Sequence, residues 1–150
     1  MSRKVLAIAS GGGHWIELCR ILPIFDGLDV AFVSVHPSYA KTVENHRYYT
    51  VSDVSRRNWW VILVLLPQIF KILIEERPRV VITTGSAPAL IALVMAKFIL
   101  RSRTIWIDSI ANVEKVSTSG SMARYVADVW LTQWPELQTP NGPYYWGAVM

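Results

Sequence analysis

The stretch LAIASGGGHWIEL, residues 6–18, runs from an apolar segment through three consecutive glycines to a histidine and a segment with helical spacing. Residues 4–9, KVLAIA, read as a buried strand that ends at a glycine turn. Beyond the turn, Trp15, Leu18, Cys19 and Leu22 recur at i, i+3, i+4 and i+7. Residues 14–22 are therefore predicted as a helix with one apolar face, ended by Pro23. A strand that turns through glycines into a helix is how an α/β unit begins.

The rest of the chain keeps that alternation. Strands are predicted at 29–35 (DVAFVSV), 47–51 (RYYTV), 79–84 (RVVITT), 104–108 (TIWID) and 129–132 (VWLT). Between them fall a weak helix after Pro37, a long helix over 56–76 with a kink or break at Pro67, and helices over 87–101 and 119–127. Short, near-continuously apolar strands alternating with helices predict a parallel sheet covered on both faces. Residues 1–132 form the expected α/β domain. Residues 133–150, with three prolines and two glycines, read as an irregular segment suited to docking a partner.

Composition narrows the field. The chain has 150 residues, enough to bury a core as one domain, and is 52% hydrophobic and 17% charged, which excludes disorder. The net charge of +4, with ten of fifteen basic residues arginine, suits a phosphate-bearing partner or an anionic surface without demanding either. A lone Cys19 excludes an internal disulfide and a multi-cysteine metal site, and no metal is expected. A reducing cytoplasm is the simplest compartment, and no signal peptide is read at the start. The apolar runs at 59–74 and 87–96 are too short or interrupted to span a bilayer. Both suit buried helices, or helices lying in the membrane interface.

Ligands of an open parallel sheet bind beyond the carboxyl ends of its strands. Three segments arrive there: Ser10-Gly11-Gly12-Gly13-His14, Thr83-Thr84-Gly85-Ser86, and Asp108-Ser109 with the polar loop that follows. Glycines between strand and helix let backbone amides approach an anion that the helix dipole favours. Neither the dinucleotide fingerprint nor the phosphate-loop motif is complete, because Ile16 stands where the former needs a small residue. A tight turn without a ligand is the competing reading for both glycine segments. His14 is open to three roles: general base, phosphate donor or helix-start residue. Asp108 either meets a substrate hydroxyl or caps a turn, while Glu114 and Lys115 by composition read as solvated surface. Arg56 and Arg57 precede Trp59 and Trp60 at the head of an apolar helix, a combination suited to a bilayer headgroup region or to the basic cap of a core helix. No basic stripe interleaved with aromatics points to nucleic acid.

Together these segments resemble a known family. ASGGGHWIELCRIL resembles the glycine–histidine opening of membrane-associated GT-B glycosyltransferases, and EERPRVVITTGSAPALIAL resembles their second glycine turn. WIDSIANVEKVSTSGSMARYVADVWLTQWPEL is similar to the loop and helix of the asparagine-linked-glycosylation protein fourteen family, whose bacterial PssD-type relatives serve exopolysaccharide and capsule synthesis. The resemblance implies the Rossmann-like N-terminal half of a GT-B enzyme, a parallel sheet with helices on both faces. It implies a heterodimer in which a partner subunit holds the UDP-sugar, so that no cofactor is bound by this chain. The implied acceptor is a polyprenyl-diphosphate-linked sugar, and the implied place is peripheral, at the cytoplasmic face of the inner membrane. It places Gly11, Gly12, Gly13, His14, Gly85 and Ser86 on the glycine turns, and Asp108, Glu114, Ser119 and Gly120 on the acceptor-side loop. His14 and Asp108 are the expected catalytic residues, in an inverting sugar transfer. Asp108 stands where eukaryotic members usually carry glutamate. A non-catalytic membrane anchor of the partner and a free-standing nucleotide-binding Rossmann domain are the alternatives.

Overall fold

The computed structural model describes residues 3–55 and 57–149; Arg56 falls outside the described residues. Seven strands form one fully parallel sheet: β1 (Lys4–Ile8), β2 (Asp29–Ser34), β3 (Arg47–Thr50), β4 (Val80–Thr83), β5 (Arg103–Ile107), β6 (Val129–Thr132) and β7 (Tyr144–Tyr145). Their order is β3-β2-β1-β4-β5-β6-β7, so the chain works outward from β1 in one direction and then returns past it in the other. That reversal makes the β1–β4 junction the switch point of a Rossmann-like sheet.

The period-two alternation of β1 sorts the two faces. Leu6 and Ile8 join a core with α2 (Ile62–Glu76), α3 (Ala87–Leu100) and α4 (Thr118–Ala123). Val5 and Ala7 face the other way, towards α1 (Gly13–Arg20) and the irregular turns at 22–25 and 37–43. Small residues let α3 approach closely: Ala89, Ala92 and Ala96 are fully buried against the sheet. On the α1 face, Trp15 stacks flat on Tyr39 at 4.9 Å and meets Phe32 edge-on. At the outer strand β3, Arg47 grips Glu76 through two hydrogen bonds of 2.8 and 2.9 Å, tying the sheet to the end of α2.

Three expectations change. The segment after Pro37 is 3₁₀ rather than α-helix (Pro37–Val43). The long helix starts at Ile62, after a 3₁₀ turn at Trp59–Val61, and runs through Pro67 without a break. Pro67 points to solvent, so the one carbonyl it leaves unpaired, that of Leu63, lies on the wet side of the helix, where water can satisfy it. The segment after 132 is not wholly irregular: Tyr144 and Tyr145 pair with Leu131 and Thr132 and add the seventh strand.

Candidate functional site

The β1 and β4 turns meet at the switch point, and each leads into a helix whose N-terminus opens onto the same edge of the sheet. Gly12 caps α1 with φ +66°, and its N–H donates to the Tyr39 hydroxyl at 3.1 Å. Gly11 packs so tightly on His36 that a Cβ would come within 2.6 Å of that ring. Gly13 is different. It has an ordinary φ, is exposed, and a Cβ there would meet nothing within 4 Å. No internal contact among the described residues demands glycine at this position.

His14 is fastened from both ends to the β4 turn. The Thr84 hydroxyl donates to the His14 carbonyl at 2.6 Å, and His14 Nδ1 lies 3.0 Å from the Thr84 carbonyl. A carbonyl oxygen only accepts, so Nδ1 carries the proton of the neutral ring and Nε2 keeps its lone pair. Gly85, with φ +118°, packs against the imidazole: a Cβ there would stand 3.0 Å from Cε1 and Nδ1. Ser86 takes φ +125° without being glycine and caps α3 by accepting the Ala89 N–H at 3.3 Å. Backbone held in so sparsely populated a region accumulates at functional sites. The edge thus offers two helix N-termini, a bare glycine and an imidazole nitrogen with no partner among the described residues, an arrangement suited to an anion and an adjoining hydroxyl.

Asp108 is bound up with its own loop. Its side chain is 2% exposed and takes four donors: Trp106 Nε1 at 3.1 Å, Asn112 Nδ2 at 3.0 Å, the Ser117 N–H at 2.9 Å and the Ser117 hydroxyl at 2.6 Å. Both oxygens are committed to folding the loop between β5 and α4. Gly120 belongs to the same knot, since a Cβ would lie 2.4 Å from Asp108 Oδ1. Its N–H donates to Ser117 Oγ. Ser119 is half-buried in the first turn of α4, and Glu114 is exposed at the crest of the loop, with no described partner.

Sequence reasoning missed Glu17, Gln133 and Trp134. Glu17 is 3% exposed although it lies off the apolar face of α1, because the 109–117 loop and the end of β6 cover that side of the helix. Its spacing of three from His14 is the available signal, as it puts both side chains on one side of the helix.

Away from this edge, the outer side of α2 is bare. Trp59 is 70% exposed and Leu63 72%, with Trp60, Val64, Phe70 and Ile74 also open, and Arg57 is exposed just before them. Phe98 and Ile99 are likewise exposed on α3. Among the described residues no helix is long and apolar enough to cross a membrane. A 410 Å³ surface cavity between residues 22–28 and 42–46 opens at the amino edge of the sheet, away from the glycine turns, and collects none of the groups above.

The fold defines a class: a Rossmann-like α/β domain of the kind that makes up one half of GT-B glycosyltransferases. It superposes on Acinetobacter baumannii MurG with a TM-score of 0.71 at 15% identity, over 98% of this chain and 45% of MurG. UDP-N-acetylglucosamine 2-epimerases share the fold, that of Rickettsia bellii with a TM-score of 0.67 at 15% identity, over 91% of this chain and 40% of the epimerase. The chain thus spans less than half of either protein. Residues 38–149 match the family described as "Oligosaccharide biosynthesis protein Alg14 like", and the chain belongs to that family. It is similar to the UDP-N-acetylglucosamine transferase subunit ALG14 of Eremothecium gossypii, with 24% identity over 90% of this chain and 74% of the relative.

Proposed function

We propose that this chain is the acceptor-side subunit of a two-subunit, inverting glycosyltransferase that moves a sugar from a UDP-sugar to a polyprenyl-diphosphate-linked saccharide. The observation that carries the reading is the β1–β4 junction, where two helix N-termini, Gly13 and the free Nε2 of His14 share one open edge. The helix N-termini and Gly13 suit the acceptor diphosphate. His14 Nε2 takes the proton of the acceptor hydroxyl as its oxygen attacks the anomeric carbon and UDP departs from the opposite side. Asp108, with both oxygens engaged, shapes the acceptor loop rather than taking a proton itself. Ser86, Glu114, Ser119 and Gly120 line or support that loop and the second turn.

The donor site is assigned to a partner subunit covering the carboxyl edge, in keeping with a relative described as a subunit. The bare face of α2, with Arg57, Trp59 and Trp60, and Arg56 beside them in sequence, rests on the cytoplasmic surface of the membrane and brings the acceptor within reach. UDP-N-acetylglucosamine is the first donor to test, since the curated relative is named for it.

The test is sugar transfer to a short-chain polyprenyl-diphosphate acceptor by this chain co-expressed with its partner. His14→Ala should lower turnover by about 10²-fold or more. Undiminished transfer by that variant removes His14 from the chemistry. The exposed α2 face also favours a second reading, in which the chain only anchors and activates its partner. Loss of transfer on making Trp59 and Trp60 polar, with His14→Ala silent, selects that reading.

A further inference from the structure

Ile110, two residues beyond Asp108, has both of its backbone groups held from outside its loop. Its N–H donates to Glu17 Oε1 at 2.7 Å, and its carbonyl accepts Trp134 Nε1 at 2.7 Å. Gln133 completes the arrangement. Its Nε2 donates to the same Glu17 oxygen at 2.8 Å and to the Asp108 carbonyl at 3.0 Å, while its Oε1 accepts the Val149 N–H at 2.7 Å. A carboxylate and a carbonyl only accept, so the orientation of this amide is forced. Glu17 and Gln133 are 3% and 2% exposed.

The arrangement is not optimal for stability. Among the described residues Glu17 Oε2 is buried with no partner, and a buried polar oxygen without a hydrogen bond is destabilising. What the side chain does provide is one acceptor oxygen for two donors at once, which ties Ile110 and Gln133 to α1. Glu17 lies one turn along from His14, and His14 is itself fastened to the β4 turn. One short helix therefore connects the glycine–histidine loop, the β4 turn and the β5 loop.

We infer that Glu17 and Gln133 are positioning residues that hold the 109–117 loop at a fixed distance from His14, so that the acceptor is gripped with its hydroxyl at Nε2. Asp108 folds the far part of this loop upon itself, and Glu17 with Gln133 places its near end relative to α1. The role rests on the acceptor-side reading above. It adds two residues that no step of the chemistry employs directly.

The complex with the partner subunit is the material for the test, with hydrogen exchange of the 109–117 amides and steady-state kinetics as readouts. In Glu17→Ala and Gln133→Ala, exchange across 109–117 should rise about tenfold or more while β1 and β4 keep their protection. The KM for the polyprenyl-diphosphate acceptor should rise about tenfold, with the KM for the UDP-sugar unchanged. Glu17→Gln keeps an oxygen for both donors and should restore exchange and acceptor KM to within about threefold, with the wild-type pH profile. Wild-type exchange of the loop in Glu17→Ala overturns the inference, as does exchange that rises evenly over the whole sheet with kinetics per folded molecule unchanged. A Glu17→Gln enzyme as impaired as the alanine variant and with a displaced pH profile also overturns it, because Glu17 would then handle a proton. If Glu17→Ala does not fold, Gln133→Ala and Glu17→Gln carry the comparison. A wild-type complex that transfers no sugar removes the glycosyltransferase reading, while the exchange measurement still decides whether Glu17 holds the loop.

Discussion

Gly85 is the residue at which local conformation and chemistry meet most closely. Its φ of +118° and the His14 ring 3.0 Å from where a Cβ would lie both exclude a side chain. Gly85→Ala should cost about 1–3 kcal/mol in denaturant unfolding, and the displaced imidazole should lower transfer further than the lost stability explains. Gly13→Ala is the informative contrast. With open space around it and an ordinary φ, it should leave the unfolding midpoint nearly unchanged yet weaken acceptor binding, measured as a raised acceptor KM. At Asp108, replacement by alanine strands the Trp106 indole N–H and the Ser117 amide, and should destabilise the protein by about 3 kcal/mol.

At the scale of elements, the clamp between β3 and α2 makes stability depend on acid. Burial works against the Glu76 charge, but hydrogen bonds from Arg47 and Tyr49 outweigh it and hold the carboxyl below its ordinary value of 4.5. The same contact, added to burial, pushes the Tyr49 hydroxyl up to about 12. A carboxyl whose pKa is lower in the folded state than in the unfolded one stabilises fully above the unfolded value, and that contribution disappears as pH falls through the folded value. Unfolding midpoints should therefore decline below about pH 4.5, and Glu76→Gln should flatten that decline while lowering stability at pH 7 by about 1–2 kcal/mol. The outer face of α2 is the second testable element. Association with anionic vesicles should weaken with salt and fall about tenfold or more when Trp59, Trp60 and Leu63 become serine, in a flotation assay.

At the scale of the molecule, the carboxyl edge is where a partner must come if the reading above holds. Val113 on the β5 loop and Trp146 just after β7 are both exposed at that edge. Trp146→Ser and Val113→Ser should weaken the complex about tenfold or more without changing the fold of this chain, as read by titration calorimetry and circular dichroism.

The alternation of apolar strands with helices was legible in residues 4–9, 29–35, 79–84 and 104–108, because a parallel strand buried on both faces must be apolar nearly throughout. The glycine turns were legible for a related reason, since bare backbone turns readily from strand to helix. Pro67 misled because the sequence does not show which side of the helix faces water. Glu17 carried only its spacing from His14 as a signal, and Gln133 carried none. They are 116 positions apart, and their hydrogen bond exists only because the sheet brings the start of α1 and the end of β6 to one edge. Asp108 was visible as a carboxylate closing a strand, but whether its oxygens face a substrate or the chain's own loop depends on that loop's path. The sequence by itself determined the α/β class, the strands and the glycine turns, which follow from local burial and backbone freedom. The tertiary structure alone decided which polar groups are spent on one another and which, like Nε2 of His14, remain open, because hydrogen-bond partners are a matter of distance in space and not along the chain.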